Sequence, residues 1–470
     1  MSERPIKILQ FGEGNFLRAF ADYFIDIANE AGVFNGNVQI VKAIKAGDLA
    51  PLLAQNCEYT VLLRGIRNGA QYVEKRKITA IAGATDAYAD YEEYATLIQN
   101  PDLQFIISNT TEAGIVYDET DRRALTPPNS FPGKLTKLLF ERYVYFNGDR
   151  DKGLIILPVE LIEQNGEKLR SCCMKLAALW GLSDDFTAWL TECNIFCNTL
   201  VDRIVTGYPK EEAAALEQEL GYRDKMLVAG EPFALWVIAH EKIAEVAEKF
   251  PLDKTDLPVI FTQDLTPYRE RKVRILNGAH TSGVLAAYLA GVNTVGEMMN
   301  DAVMRPFIER AIFDELSPCV PLPADEVKAF ARSVIERFEN PFIQHNLLSI
   351  ALNSVSKFKV RVLPTILETQ AKTGTLPQLL CFSFAALAQF YCTGERDGKA
   401  YDLKDDSAVL AFFAKNKALS AQELTSTLLK REDFWGQNLT QISGLESLVA
   451  QHLDDIRTHD MRDAVKALVQ

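Results

Sequence analysis

The sequence has few histidines, and no histidines or cysteines stand at the spacing of a metal site. Its five histidines are scattered along 470 residues, and none of its eight cysteines forms a Cys-x-x-Cys pair. A structural zinc site needs closely spaced ligands of these types, so we predict a protein that binds no metal. The cysteines are interpreted as reduced, buried thiols of a cytoplasmic protein.

The sequence also lacks a long apolar run and an excess of positive charge. No stretch approaches the roughly 20 apolar residues that span a bilayer, and the N-terminus has no signal-peptide pattern. With 63 acidic and 50 basic side chains the net charge is −13. This balance argues against a general nucleic-acid or anionic-membrane surface. We therefore expect a cytoplasmic protein that binds neither nucleic acid nor membrane and acts on a small molecule.

Short apolar runs alternate with helical patterns over the first part of the chain. This alternation predicts an α/β fold, with a Rossmann-like, doubly wound parallel sheet in an N-terminal domain of residues 1–265. After that point helical periodicity dominates, which predicts a mainly α-helical C-terminal domain of residues 266–470. The strand candidates are residues 6–11, 38–44, 103–108, 153–159 and 258–262.

A Gly-x-Gly turn follows the first predicted strand and precedes a helical pattern. Gly12 permits a tight turn, and Gly14 lets the backbone approach a pyrophosphate at the start of the helix. The third glycine of the usual fingerprint is replaced by Leu17. An ordinary strand–turn–helix is therefore the alternative to a dinucleotide site, although the surrounding βαβ pattern favours the latter.

The second strand does not end in the acidic residue that binds the adenosine ribose in NAD enzymes. Lys42 and Lys45 come first, and Asp48 only later. A basic residue at this position could instead accept the 2′-phosphate of NADP. The residues alone leave NAD and NADP open.

Two polar clusters interrupt apolar sequence. As an α-helix, the segment around residues 267–283 places Lys272, Arg269, His280 and Asn277 on one arc, at about 0°, 60°, 80° and 140°. A solvated helix face is the alternative interpretation. Asn198 lies between apolar residues in NTLVDRI, and a buried amide there needs hydrogen-bond partners.

These motifs resemble the mannitol dehydrogenase family of polyol-specific long-chain dehydrogenases. The family signature is a lysine, an asparagine five residues later and a histidine three further on, which here are Lys272, Asn277 and His280. A second asparagine corresponds to Asn198, and the N-terminal turn corresponds to GEGNFLRA at 12–19. The resemblance covers nearly the whole chain. Further similarity lies in EPFALW at 231–236 and RFENP at 337–341.

The resemblance implies an NAD-dependent dehydrogenase that needs no metal. Lys272 would act as general acid and base, Asn198 and Asn277 would donate hydrogen bonds to the reacting oxygen, and His280 would bind a substrate hydroxyl. The family tendency toward monomers is the only guide to oligomeric state. The cofactor-binding candidates are Gly12, Gly14, Asn15, Phe16, Ser108, Asn109, Thr110 and Glu112.

Two departures from the family pattern concern the substrate. Arg269 stands where the mannitol enzymes have an acid, and Ser349 stands eight residues before Lys357, where they have an arginine. Both Arg269 and Lys357 are candidate ligands of a substrate carboxylate, which favours a sugar acid over a neutral polyol. The alternatives are a different hexonate epimer, a polyol, or a non-catalytic nucleotide-binding sensor on the same scaffold.

Overall fold

A six-stranded parallel sheet lies at the centre of the first of two units in the computed structural model, which describes residues 4–110 and 113–470. The first unit comprises residues 1–64 and 71–265, and the second comprises residues 65–70 and 266–470. The strands that begin in the first part of the chain are β1 (Ile6–Phe11), β2 (Asn37–Val41), β3 (Tyr59–Arg67), β4 (Ala70–Ile78), β5 (Ile81–Thr85), β6 (Phe105–Ser108), β7 (Ile155–Pro158), β8 (Ile195–Phe196), β9 (Asn198–Asp202), β10 (Val205–Gly207), β11 (Val228–Gly230), β12 (Leu235–Ala239) and β13 (Val259–Thr262).

The central sheet has the order β5-β2-β1-β6-β7-β8, and all of its strand pairs are parallel. The chain proceeds from β1 to β2 on one side and from β6 to β7 on the other. The carboxyl ends of β1 and β6 therefore form the topological switch point at which open α/β sheets bind ligands. The predicted fold class, a doubly wound sheet followed by a mainly helical region, is confirmed.

Alternate residues of the central strands belong to separate apolar clusters, as expected for a sheet covered on both faces. Ile8 packs in one cluster, and its neighbour Leu9 packs in the other. The helices around the sheet are α1 (Asn15–Ala19), α2 (Ala21–Glu30), α3 (Ala50–Leu53), α4 (Tyr91–Thr96), α5 (Phe131–Tyr145), α6 (Asn165–Leu179), α7 (Asp184–Glu192), α8 (Ala213–Leu220) and α9 (Ile243–Lys249), with 3-10 turns at Leu97–Gln99, Arg150–Lys152 and Leu252–Lys254.

The helical pattern after β1 forms two helices, where the sequence predicted one. Phe20 leaves the helical region with φ −125° and ψ −81°, between α1 and α2. Its ring is fully buried against Phe16, Phe24 and Trp236. Burial of the Phe20 ring in this aromatic cluster therefore accounts for the break between α1 and α2.

Two smaller sheets, of order β10-β11-β3-β4 and β13-β12-β9, complete the strands of the first part of the chain. The sequence analysis identified β13 but not β3, β4 or β9 to β12. The β3–β4 connection is an Asn-Gly turn, with Asn68 at φ 55° and Gly69 at φ 73°. This dipeptide is a strong hairpin signal that the analysis did not use.

The second unit is built around helices that are apolar on all sides. Most of α18 and α11 is buried, as expected of central helices. Both contact each other, and α22 packs along α18. The elements are α10 (Thr266–Arg271), α11 (Gly278–Leu289), α12 (Val295–Asn300), α13 (Met304–Arg310), α14 (Ala324–Phe338), α15 (Leu347–Ile350), α16 (Ser354–Arg361), α17 (Leu363–Thr373), α18 (Gln378–Thr393), α19 (Ser407–Asn416), α20 (Ala421–Leu429), α21 (Glu432–Trp435), α22 (Leu445–His459) and α23 (Met461–Val469), π-helices at Lys272–Asn277 and Ala311–Leu316, 3-10 turns at Ser317–Cys319 and Leu439–Gln441, and a hairpin of β14 (Glu395–Arg396) and β15 (Lys399–Ala400).

Candidate functional site

The turn after β1 requires glycine at one position for reasons within the protein. Gly12 has φ +123°, and a Cβ there would lie 3.1 Å from the carbonyl oxygen of Asn109. Gly14 differs, because it has ordinary extended dihedrals and a Cβ would meet no atom within 4 Å. The packing of the protein thus accounts for Gly12 but not for Gly14. The open space beside Gly14 leaves room for a ligand to approach the backbone there.

Asn15 and Phe16 begin α1, and Arg18 holds this turn in place. Its guanidinium donates to the Oδ1 atom of Asn15 at 2.6 Å, to the carbonyl oxygen of Glu13 at 3.2 Å and to the carbonyl oxygen of Met226. Asn15 is exposed and Phe16 half-buried. The sequence analysis did not identify Arg18, whose function depends on contacts with residues far along the chain.

A buried carboxylate organises the end of β6. Glu160, which follows β7, accepts hydrogen bonds from the Ser108 hydroxyl at 3.1 Å and from the Thr110 amide and hydroxyl, each at 2.9 Å. Burial raises the pKa of Glu160 despite these hydrogen bonds. Three of the predicted cofactor residues, Ser108, Asn109 and Thr110, therefore lie at the switch point beside Gly12. The fourth in this stretch, Glu112, lies outside the described residues.

The end of β2 carries an ion pair that the sequence could not show. Lys42 is buried, and its Nζ atom lies 2.8 Å from the Oδ2 atom of Asp86, the residue after β5. Glu13 lies close by, since a Cβ on Gly47 would approach its carboxylate to 2.7 Å. Burial raises the pKa of Glu13, although Lys42 opposes this shift. The charge of Lys42 is thus balanced by Asp86, at the position where the 2′-phosphate of NADP would need a cation.

A cleft of about 780 Å³ adjoins the ends of β2 and β6. Ala43 and Ile44, which follow β2, line it together with Thr110, which follows β6, and with the segment 116–120. Its position, beside the switch point and on the β2 side, is where the adenosine half of a dinucleotide binds in this topology.

The catalytic candidates of the second unit lie on a helix that changes geometry. Residues 272–277 form a π-helix between α10 and α11, and the Gly278 amide donates to the carbonyl oxygen of Val273, five residues earlier. The even 100° spacing assumed from the sequence is therefore wrong for this stretch. Because a π turn takes up one residue more than an α turn, Asn277 lies closer to the direction of Lys272 than the roughly 140° of an even α-helix. Single π turns of this kind are frequent at functional sites.

Both residues that bound the π-helix are half-buried. The backbone oxygen of Asn277 accepts a hydrogen bond from the Thr281 hydroxyl at 2.9 Å. Within the described residues, its side-chain amide has no hydrogen-bond partner in the protein, so this amide is available to a ligand. His280 follows on α11, stacked on Phe338 with ring centroids 4.4 Å apart.

His345 completes the surroundings of the His280 ring. The two imidazoles meet edge to face, with centroids 5.4 Å apart. Burial lowers the pKa of His345, which favours its neutral form. The His280 ring is thus fixed between an aromatic face and a neutral imidazole.

The two cations predicted to bind a carboxylate differ in exposure. Arg269, on α10, is exposed. Lys357, on α16, is half-buried and donates to the carbonyl oxygen of Ile350 at 2.9 Å. Burial and the nearby Arg361 lower the pKa of Lys357. The sequence analysis did not identify Arg361, which occupies the last position of α16.

Asn198 opens β9 in the first unit and is half-buried. Its amide exchanges two hydrogen bonds with Glu167 at the start of α6, of 2.9 Å to the carboxylate and 3.2 Å from the backbone amide. The predicted need of this amide for partners is thus met by one residue. A carboxamide has two N–H donors, so a second donor remains.

Across residues 4–110 and 113–470, no three histidine, cysteine or acidic side chains lie close enough together to hold a metal ion. All eight cysteines are free thiols. None of the helices in the same ranges has the length and apolarity needed to cross a membrane.

Two family models match this chain, one over its N-terminal part and one over its C-terminal part. Residues 6–252 match the family model described as the mannitol dehydrogenase Rossmann domain, and residues 264–457 match that of the mannitol dehydrogenase C-terminal domain. Altronate oxidoreductase of Klebsiella pneumoniae (strain 342) is 47% identical over 475 residues, which is 99% of this chain and 98% of that protein. Altronate oxidoreductase of Escherichia coli O7:K1 is 46% identical over 474 residues, covering 99% and 98%.

Solved structures agree on the fold. A D-sorbitol dehydrogenase in substrate-free form matches with a TM-score of 0.81 at 20% identity, over 98% of this chain and 95% of that one. Pseudomonas fluorescens mannitol 2-dehydrogenase, in a ternary complex with NAD and D-mannitol, matches with a TM-score of 0.68 at 21% identity, over 99% and 95%.

Proposed function

This chain belongs to the mannitol dehydrogenase family, and we propose that it interconverts D-altronate and D-tagaturonate with NAD(H). The two altronate oxidoreductases that it resembles match over almost their whole length, at nearly half of all positions. The switch point supports the proposed dinucleotide site, and the signature residues fall on one helical stretch, with Lys272 and Asn277 at the two ends of a π turn and His280 on the α-helix that follows. That arrangement is the observation that carries the proposal.

Lys272 is the proposed general acid and base. When the carbinol is oxidised, its Nζ atom accepts the hydroxyl proton, and in the reverse direction it returns that proton to the ketone oxygen. A lysine near its ordinary pKa of about 10.4 is a weak base at neutral pH. Lys272 is half-buried, and its proposed role requires surroundings that disfavour the ammonium form.

Asn277 and Asn198 are the proposed donors to the reacting oxygen. The oxygen gains negative charge as its proton leaves, and amide N–H groups held in place stabilise that charge without a metal. The side chain of Asn277 is available for this purpose, and Asn198 has one N–H beyond the one it gives to Glu167. His280, with its ring fixed by Phe338, is the proposed ligand of a substrate hydroxyl.

The residues of the first unit fit NAD(H), which when bound carries the hydride. The Gly12–Gly14 turn admits a pyrophosphate, and Glu160 fixes Ser108 and Thr110 at the same edge. Asp86, paired with Lys42, supplies the acid that was missing from the end of β2. This pairing favours NAD over NADP.

A cation of the second unit is proposed to bind the substrate carboxylate. Lys357 is better placed than the exposed Arg269, because desolvation strengthens a charge-assisted hydrogen bond. A cytoplasmic location and a monomeric state remain predictions, as does the absence of nucleic-acid binding.

A substrate panel tests this function. The purified chain is assayed with altronate, mannonate, mannitol and arabinitol, each with NAD⁺ and NADP⁺, by the absorbance of the reduced cofactor. We expect altronate with NAD⁺ to give the highest kcat/KM. Preference for mannonate would make the chain a fructuronate reductase, and preference for mannitol or arabinitol would make it a polyol dehydrogenase. Cofactor binding without turnover of any substrate would indicate a sensor.

A further inference from the structure

Arg361 is a half-buried arginine of the second unit that forms no ion pair with an acid among the described residues. Within residues 4–110 and 113–470, no carboxylate forms an ion pair with Arg361 or with Lys357. Other arginines of this unit do pair with acids: Arg271 with Glu326, Arg274 with Glu368, Arg305 with Glu339, Arg431 with Asp433 and Arg462 with Asp301.

The two unpaired cations lie on one face of α16. Lys357 and Arg361 are four residues apart, so their side chains are neighbours on the helix surface. Like charges at this spacing repel, and both groups are half-buried. Burial lowers the pKa of Arg361, and burial followed by Arg361 lowers that of Lys357. The charge of Asp405 opposes the shift at Lys357 but forms no ion pair with it. A half-buried pair of like charges with no acid in ion-pair contact is an arrangement that an anion would stabilise.

Arg361 is connected through Thr281 to the residue at the end of the π-helix. Its Nη1 atom donates to the Thr281 hydroxyl at 3.4 Å, and that hydroxyl donates to the backbone oxygen of Asn277 at 2.9 Å. The helices meet closely at this point, since a Cβ on Gly278 would lie 3.3 Å from the carbonyl oxygen of Arg361. Arg361 therefore stands one helical turn beyond the proposed reacting centre.

We propose that Arg361, together with Lys357, binds the carboxylate of the substrate and selects a sugar acid over a neutral polyol. A hexonate carries its carboxylate at one end of a six-carbon chain, so the group that binds it must stand apart from the residues at the reacting carbon. Arginine suits this task, because its planar guanidinium can grip both carboxylate oxygens. The inference rests on the proposed function, since it requires an acidic substrate.

The test compares Arg361→Gln with wild type on altronate and on altritol, the neutral hexitol of the same configuration. We expect kcat/KM for altronate to fall about 10- to 100-fold, as for loss of a charge-assisted contact, with altritol and NADH binding unchanged. Lys359→Gln removes a positive charge from the same helix and should change neither substrate. Arg361→Lys should recover part of the altronate activity.

Calorimetric titration of altronate into the enzyme with NADH gives a second measurement that needs no turnover. Arg361→Gln should weaken altronate binding by a similar factor, and Lys359→Gln should not. Equal losses on altronate and altritol, or unchanged altronate affinity, would overturn the inference. So would loss of altronate selectivity in Arg269→Gln instead. Failure of the proposed function is separate, because it would appear in wild type as an inability to oxidise altronate.

Discussion

The Nζ atom of Lys42 lies 2.8 Å from the Oδ2 atom of Asp86, at the carboxyl ends of two adjacent parallel strands. Burial alone would raise the pKa of Asp86, but hydrogen bonds from Lys42 and from backbone amides outweigh it and lower that pKa. The Asp86 carboxylate is therefore ionised at neutral pH. It places a negative charge where the two cofactors differ.

Asp86→Ala should increase the use of NADP⁺. Lys42 would be released to attract a 2′-phosphate, and the carboxylate that repels this phosphate would be gone. We expect the ratio of kcat/KM for NADP⁺ to that for NAD⁺ to rise about 10-fold or more, as for one charge-assisted contact. Asp102→Ala, which removes an exposed acid at the opposite end of β6, is the control. An unchanged ratio would mean that Asp86 plays no part in cofactor choice.

Lys272→Ala should remove proton transfer and spare cofactor binding. General acid–base groups contribute about 10²- to 10⁴-fold, so kcat should fall by that factor while NADH fluorescence titration gives an unchanged Kd. Lys328→Ala, an exposed lysine on α14, serves as the control. Near-wild-type turnover in Lys272→Ala from about pH 6 to about pH 10, across the range in which lysines titrate, would exclude this lysine as the base.

Much of this fold was predictable, because the evidence for it is local. The bounds of β1 follow from an apolar run that ends at Gly12, and the glycines of the turn follow from their position after a strand. Helical spacing drew attention to the polar residues of the signature, and the family resemblance gave them their predicted roles. The π-helix was not predictable, because an apolar pattern read at 3.6 residues per turn cannot reveal one extra residue in a turn.

The rest of the site depends on contacts between residues distant in sequence. Glu160 acts on Ser108 from the next strand of the sheet, and Asp86 reaches Lys42 across the β2–β5 pair. Arg361 looks like an ordinary basic residue until its lack of an acidic partner is known. Sequence reasoning therefore named Arg269 and Lys357 and could not single out Arg361.

Glu160→Gln should weaken cofactor binding more than it affects proton transfer. The carboxylate accepts three hydrogen bonds at the end of β6, and an amide has only one oxygen to accept them. Each buried group left without a partner costs about 1–3 kcal/mol. We expect a larger Kd for NADH and a lower Tm, with the pH profile of kcat unmoved. A shifted pH profile with normal NADH affinity would contradict this positioning role.

Asp22 should make stability depend on pH. It is fully buried beneath the Gly12 turn, and burial raises its pKa to about 7 against hydrogen bonds from Tyr59 and Gln10. The folded chain therefore holds this proton at pH values where the unfolded chain has lost it. From about pH 4 to about pH 7 the free energy of unfolding should fall as pH rises, by at most about 4 kcal/mol from this group.

Asp22→Asn should flatten this dependence, because the amide carries no charge at any pH. Denaturant titrations across the window should show the variant gaining most over wild type above about pH 7, where the wild-type carboxylate bears its full burial penalty. Asp253→Asn, at an exposed acid, should leave the wild-type pH dependence in place. A variant whose stability follows pH as steeply as wild type would assign the dependence to other groups.

Treatment with excess EDTA should leave turnover intact. Lys272 and the two asparagines supply the proton transfer and charge stabilisation that a Lewis acid provides elsewhere. Activity of the treated and dialysed enzyme is compared with that of a zinc-dependent alcohol dehydrogenase, which should lose its activity. Loss of turnover that zinc restores would remove the metal-independent mechanism.

The π-helical segment 272–277 has a genetic consequence. A π turn holds one residue more than an α turn, so loss of a single codon from positions 273–276 leaves a sequence that can close as continuous α-helix. Such a deletion would keep the apolar residues of α11 in the core and leave Lys272 in nearly the same direction relative to Asn277 and His280, because four residues close about one turn of an α-helix as five close about one π turn. Among descendants of this gene, a chain that is one residue shorter at this point should therefore still fold, with the lysine and the asparagine on the same side of the helix.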